Sequence, residues 1–310
     1  MKRNIKGHQT IREYGRIFKI VNYETYFQTK HLATLNHNLK NITLLLFLWM
    51  SLQQALAQGW VSDSIQVDFE PKSIRIDPLS NRYFLTEEMQ ILKYKPDGTF
   101  WNRYENNRLG IIGNLDVSNP FQVLVFYPQY QILVLLDNNL AETGRLNFNS
   151  IGFGSIRTAG ISDDNNIWVL DEGNRKVYKV STAGEKKVQG IPYFGFNILA
   201  DKPIFIQQKS NYVYISQEGQ KVQVFDIFGK WVKSIDLENF KSVVYIGNNL
   251  YYDDGTNILE YPIDIMNIGT ELRTIPINET KSITYDVVRN KFYGLNKENQ
   301  IIYFDPKKSK

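Results

Sequence analysis

The feature that most constrains this chain is a repeat of about forty residues, in which an Asn stands shortly before an aromatic-rich strand. The repeated Asn residues are Asn81, Asn119, Asn166, Asn211, Asn249 and Asn290, with steps of 38, 47, 45, 38 and 41 residues. Each of these strands is followed by a short turn and, in several units, by a clear second strand such as Arg175-Lys-Val-Tyr-Lys-Val180. Short runs rich in Val, Ile, Tyr and Phe, with no long helical stripe, predict an all-β protein.

Six units of about four strands predict a six-bladed β-propeller over residues 58–310. The first strands of the blades are expected near Ser73, Asn114, Ser155, Pro203, Ser242 and Ser282. The sixth unit shows only three convincing strands, whereas Ser64-Ile-Gln-Val-Asp-Phe69 is a strand without a unit of its own. We therefore predict that this N-terminal strand closes the last blade and removes an exposed edge.

Residues 1–57 have the order of a leader that ends in a secretory signal peptide. An apolar run over residues 42–52 is preceded by Lys40 and followed by Gln53-Gln-Ala-Leu-Ala57, which predicts cleavage between Ala57 and Gln58. The alternative is an uncleaved membrane anchor, and either form leaves the body outside the cytoplasm. Residues before about 38 are explained by a late translation start or by a basic cytosolic tail. The sequence therefore predicts a periplasmic or secreted protein.

The charge of the chain is divided unevenly between the leader and the body. Residues 1–57 hold eight Lys/Arg and two acids, a net charge of +6, and the remaining 28 Lys/Arg and 30 acids give the body −2. Nucleic-acid affinity comes from many Lys/Arg contacts that release counterions, so a near-neutral body predicts no nucleic-acid partner. We also expect a mature body that does not span a membrane and is a monomer.

Two of the repeats carry a resemblance to known propellers. At Asn166-Ile-Trp-Val-Leu-Asp171, continuing through residues 174–184, and again between Tyr212 and Gly229, the sequence resembles NHL-repeat and TolB-like six-bladed propellers. Residues 111–190 are also similar to uncharacterised exported propellers of the Bacteroidota type. The resemblance implies a fold and little about function, because propellers include lyases, lactonases, sugar binders and scaffolds.

The composition removes most catalytic machinery from the body. The chain has no Cys, and its three His residues, His8, His31 and His37, all precede residue 57. A Ser-His-Asp triad, a cysteine nucleophile and a zinc site with His or Cys ligands are therefore excluded from the body. Carboxylate chemistry remains, so the alternative to a non-enzymatic binding module is a Ca²⁺-dependent hydrolase of the lactonase type.

The turns between the second and third strands of the blades are expected at one face, and five of the six carry acids. These residues are Glu87, Glu88, Asp171, Glu172, Glu218, Asp253, Asp254 and Glu298. Oxygen ligands suit Ca²⁺, which would make these turns a cation-binding rim. Asp and Glu are also ordinary residues of solvated turns, so the sequence favours no bound cofactor or metal and leaves Ca²⁺ as the only candidate.

The second blade departs from this pattern and supplies the predicted partner-binding residues. Its turn is Tyr127-Pro-Gln-Tyr130, and the connection before the blade is Asn106-Asn-Arg-Leu-Gly110, expected at the same face. Tyr and Arg dominate the energetics of protein interfaces, although tyrosines here could equally cover the edge of the core. We predict a site formed by Asn106, Asn107, Arg108, Tyr127 and Tyr130, and a protein or glycan of the cell envelope as its partner.

Overall fold

The computed structural model describes residues 64–194, 202, 204–237, 240–263, 273–277 and 280–304. The predicted leader and its cleavage position lie outside these residues. Within them, no helix is long and apolar enough to cross a membrane.

The described chain forms six four-stranded antiparallel sheets, which are the six blades. The short strand β1 (Ser64–Gln66) precedes the first blade. Blade 1 consists of β2 (Pro71–Ile76), β3 (Arg82–Thr86), β4 (Ile91–Tyr94) and β5 (Phe100–Tyr104), and blade 2 of β6 (Asn114–Asp116), β7 (Val123–Tyr127), β8 (Ile132–Leu136) and β9 (Glu142–Asn147). A 3₁₀ helix, Phe148–Ile151, connects to blade 3, which has β10 (Ile156–Ile161), β11 (Ile167–Asp171), β12 (Lys176–Val180) and β13 (Lys186–Gln189).

The second half repeats the same arrangement. Blade 4 contains β14 (Ile204–Lys209), β15 (Tyr212–Gln217), β16 (Val222–Asp226) and β17 (Trp231–Ile235), and blade 5 contains β18 (Ser242–Ile246), β19 (Asn249–Asp253), β20 (Asn257–Pro262) and β21 (Arg273–Pro276). Blade 6 contains β22 (Thr280–Asp286), β23 (Lys291–Asn296) and β24 (Gln300–Phe304), with β1 paired to the far side of β24. In that pairing Ile65 lies opposite Ile301. The all-β, six-bladed prediction is confirmed, and each first strand begins within two residues of its predicted start.

The core lies between neighbouring blades rather than in one central layer. The second strands β7 and β11 are buried at every residue, because both faces of each sheet are covered by the adjacent blades. One cluster joins Phe126 of blade 2 to Tyr178 of blade 3 and to Phe153 in the connection between the two blades. Another joins Tyr214 of blade 4 to Tyr252 of blade 5. Blade-to-blade packing therefore fixes where the first strands stand around the propeller axis.

Blades 3 and 4 approach each other closely at Gly160 of β10. A Cβ added to this residue would lie 2.3 Å from the backbone oxygen of Ile206 in β14, so the neighbouring first strand would have to move. Gly144 of β9 is a matched position, since its added Cβ meets only Leu135 side-chain atoms at 3.7 Å or more.

We expect Gly160→Ala to lower the free energy of unfolding by about 2 kcal/mol through overpacking, and Gly144→Ala to change it by less than about 0.5 kcal/mol. Urea denaturation of both variants measures the difference. Equal stabilities would show that the two first strands can separate without cost.

Candidate functional site

The connection between β5 and β6 packs against the turn between β7 and β8, as the sequence suggested. A Cβ on Gly110 would lie 2.7 Å from Oε1 of Gln129 and 3.6 Å from the ring of Tyr130. Gly110 also has a φ of +72°, in the left-handed region that favours glycine. The structure therefore brings the Arg108 connection and the Tyr130 turn together on one surface.

Tyr127 is a core residue and is not available to a partner. It is the last residue of β7 and only 1% exposed, packed in a cluster with Tyr83, Ile112 and Val134. Burial raises the pKa of its phenol, and the neighbouring Tyr104 hydroxyl raises it further. The prediction that Tyr127 contacts a partner is corrected here: every residue of β7 is buried, so Tyr127 has no solvent-facing side.

Of the other four predicted residues, Asn106 and Asn107 make hydrogen bonds within their own loop, whereas Arg108 and Tyr130 are exposed. Oδ1 of the half-buried Asn106 accepts from the Arg108 amide (3.1 Å), and Nδ2 of Asn107 donates to Oε1 of Glu105 (2.6 Å). Arg108 is exposed and Tyr130 is 49% exposed. Ile111, which the sequence analysis did not single out, is 58% exposed one residue after Gly110. We call Arg108, Ile111 and Tyr130 the loop face.

Two of the acidic turn residues are buried, and their carboxylates accept hydrogen bonds from backbone amides. Asp171 accepts from the amides of Gly154 (2.9 Å), Ser155 (3.1 Å) and Asn174 (3.0 Å), and from Nδ2 of Asn174 (2.7 Å). Burial alone raises the pKa of Asp171, but these hydrogen bonds together bring it below its ordinary value. Asp253 accepts from the Gly255 amide (2.6 Å) and from the Thr280 hydroxyl of blade 6.

Three more acids of these turns accept hydrogen bonds from turn amides or form ion pairs with a Lys or Arg of the same blade. Glu218 lies 3.1 Å from Nζ of Lys202, and Glu172 lies 3.6 Å from Nε of Arg157. Asp254 accepts from the amides of Thr256 and Asn257. Among the described residues, no three acidic or His side chains lie close enough to share a metal ion. In the described part of the chain, these acids are therefore engaged by nearby donors and cations rather than gathered into one cluster of carboxylates.

First strands of blades 1, 2, 4, 5 and 6 surround a central channel, and a cavity of about 410 Å³ lies at its mouth, where most of these strands begin. Its basic wall residues are Lys72, Arg75, Lys241 and Lys281, and Glu218 is the acid. Apolar wall is supplied by Leu85, Ile112, Leu115 and Phe205. Ile112 directly follows Ile111, so the loop face lies beside this mouth.

The basic mouth was missed by the sequence analysis, although a signal for it exists. The segments Lys72-Ser-Ile-Arg75, Lys241-Ser-Val243 and Lys281-Ser-Ile283 place a Lys before the Ser that opens a first strand. These serines mark three of the six expected first-strand starts, and the Lys before each of them is the signal for the basic mouth.

No protein-family model matches the sequence, and the search of curated proteins finds no relative. Solved structures do match. One, described as the mitotic checkpoint complex, is 9% identical with a TM-score of 0.55 and covers 80% of this chain and 92% of its own. A streptogramin B lyase is 10% identical, with a TM-score of 0.52 over 78% of this chain and 96% of its own.

A third matching structure is the propeller domain of Cps50 (Swd1) from Myceliophteria thermophila. It is 9% identical with a TM-score of 0.53, and covers 78% of this chain and 98% of its own. The chain has the β-propeller fold. At these identities the likeness concerns the fold alone, because propellers support many unrelated functions.

Proposed function

We propose that this chain is an exported, non-enzymatic β-propeller that acts as a binding or scaffold module in the cell envelope. The observation that carries the proposal is the loop face, where Arg108, Ile111 and Tyr130 stand exposed on connections that pack together. The partner we propose is an envelope protein, with a glycan as the alternative.

The composition of the loop face supports a protein partner. Arg and Tyr are enriched among the residues that contribute most to protein interfaces, and an exposed Ile adds apolar area between them. Truncating one such residue in an interface costs about 2 kcal/mol or more, which is about a thirtyfold loss of affinity. The absence of His and Cys from residues 58–310 supports binding rather than catalysis.

The export part of the proposal rests on the signal-peptide pattern of residues 42–57. It implies a mature protein that begins at Gln58 and is found in the periplasm or medium. We also propose that the propeller is of the NHL type, on the repeats at residues 166–184 and 212–229, and is related to exported Bacteroidota-type propellers, on residues 111–190.

We also propose that β1 closes the ring, because it supplies the fourth strand of blade 6. In this arrangement the N-terminal segment joins the first and last parts of the propeller and leaves no long edge on β24.

The double variant Arg108→Glu, Tyr130→Ala is expected to fold normally and to lose at least about thirtyfold of its affinity for the envelope partner. The protein is purified from the envelope fraction after mild crosslinking, and co-purifying material is quantified against the amount of propeller. Intact mass in the same sample shows whether the chain begins at Gln58.

The matched control is Phe228→Ala, Lys230→Glu, which changes an exposed aromatic residue and an exposed cation in the turn between β16 and β17. The control should retain the partner. Loss from both variants, or from neither, would contradict a site at the loop face.

A further inference from the structure

The mouth of the central channel has a charge that the fold does not explain. Four basic side chains line the 410 Å³ cavity, and its one wall acid, Glu218, already pairs with Lys202 at 3.1 Å. The body as a whole is slightly acidic, so this cluster is a local concentration of positive charge. Charge that is focused in a concave site raises the local concentration of ligands of opposite sign.

β-Bulges place two of these cations at the mouth. In β2 the pairing with β3 shifts between Pro71 and Ser73, so Lys72 is the extra residue. In β22 the pairing with β23 shifts between Thr280 and Ser282, so Lys281 is the extra residue. A bulge turns a side chain out of the regular alternation, and bulges are enriched beside functional sites. A β-bulge thus places a Lys at the mouth in each of two neighbouring blades, 1 and 6.

Arg75 lies deeper, where the cavity at the mouth meets a second channel cavity of about 260 Å³. Its guanidinium carbon is 5.1 Å from the ring centroid of Phe205, which comes from blade 4 on the opposite side of the channel. Burial lowers the pKa of Arg75, and the charge of Asp116 opposes that shift. The guanidinium of Arg75 therefore lies inside the channel, next to the ring of Phe205.

Most of the hydrogen-bonding capacity of Arg75 is left for a ligand. Among the described residues it donates one hydrogen bond, from Nη1 to the Ile74 carbonyl (3.0 Å), out of five N–H groups. In the described part of the chain Asp116 makes no hydrogen bond with Arg75, and its oxygens accept from the amides of Ile161 (2.7 Å) and Ser118 (2.8 Å). A guanidinium in this state is suited to bidentate recognition of a carboxylate or phosphate.

We propose that the central channel binds a small organic oxyanion, with its carboxylate or phosphate on Arg75 and with Lys72 and Lys281 at the mouth. The apolar wall at Ile112, Leu115 and Phe205 accommodates the carbon part of the molecule. A cavity of this volume falls within the range of small-molecule sites. The site goes beyond the proposed partner binding and uses none of the loop-face residues.

Isothermal titration calorimetry of the intact protein with citrate and, separately, with inorganic pyrophosphate tests the proposal and distinguishes carboxylate from phosphate. We expect at least one probe to bind with 1:1 stoichiometry, and to bind more weakly when NaCl is raised from about 50 to about 500 mM. Arg75→Met should weaken binding by about tenfold or more, and Arg75→Lys by less, because Lys keeps the charge and loses the planar fork.

A second variant tests the site if Arg75→Met fails to fold. Lys72→Met, Lys281→Met changes two exposed side chains and should weaken the same probe by about threefold to tenfold. Lys230→Met, an exposed cation of the turn between β16 and β17, is the control and should leave affinity unchanged. Failure of both probes to bind, or equal affinities in the channel variants and the control, would overturn the proposal. Neither outcome bears on the loop-face variants, which are measured with the envelope partner.

Discussion

A chain that begins at Glu70 is expected to lose about 5 kcal/mol of unfolding free energy relative to one that begins at Gln58, because burial of two apolar side chains and a strand pairing are removed together. β1 pairs with β24, and Val67 and Phe69 pack against the cluster that contains Ile74 and Phe84. The Phe69 ring centroid lies 5.3 Å from that of Phe84. Such a loss is comparable to the whole stability of many domains, so partial unfolding and association through the exposed edge of β24 should follow.

Urea denaturation and size-exclusion chromatography of the two chains measure this effect. Phe69→Ala in the longer chain is the control for packing alone and should lower the free energy of unfolding by about 3 kcal/mol. This variant should not associate, because β1 still pairs with β24. If the chain that begins at Glu70 stays monomeric and melts within a few degrees of the longer one, ring closure does not depend on β1.

The second large effect is expected from Asp171→Ala, which should lower the free energy of unfolding by about 3 kcal/mol because buried backbone donors lose their acceptor. Glu172→Ala, one residue later, removes an exposed carboxylate from a long ion pair with Arg157 and should cost less than about 0.5 kcal/mol. Urea denaturation at neutral pH compares them. Similar losses would mean that the hydrogen bonds from backbone amides to Asp171 contribute no more to stability than the exposed ion pair of Glu172.

The same residue gives a pH dependence with a defined sign. The folded-state pKa of Asp171 lies below its ordinary value, so its contribution is fully present above an unfolded pKa of about 3.9 and is lost as pH falls through the folded pKa. The stability difference between wild type and Asp171→Asn should therefore shrink as the pH is lowered below about 4. A difference that is constant from neutral pH to pH 3 would contradict this account.

The blades could be predicted from sequence because their signals are local. An Asn before an aromatic strand, or a Gly or Asp in a turn, indicates the conformation of a few neighbouring residues. Because the pattern recurs about every forty residues, these local indications together predict the number of blades. The contact between the Arg108 connection and the Tyr130 turn could also be anticipated, since both were expected at one face.

Other parts of the candidate site depend on contacts between blades, which a single sequence does not encode locally. The sequence left open whether Tyr127 is buried, because this residue stands where the apolar run of β7 meets the turn that follows it. The bulges at Lys72 and Lys281 add one residue to a strand and reverse the side on which a cation is expected. Arg75 and Phe205 are 130 positions apart in the chain and meet only because their blades stand opposite each other.

The central claim is that this propeller works by binding a partner at the loop face, and site-specific photo-crosslinking in cells tests it most directly. A benzophenone side chain is placed at position 130 of the full chain and, in a separate protein, at the exposed position 228. We predict one crosslinked species of defined mass from position 130, lost when Arg108→Glu is added, and no such species from position 228. Identical products from both positions, or none from position 130 in a folded and exported protein, would contradict the account.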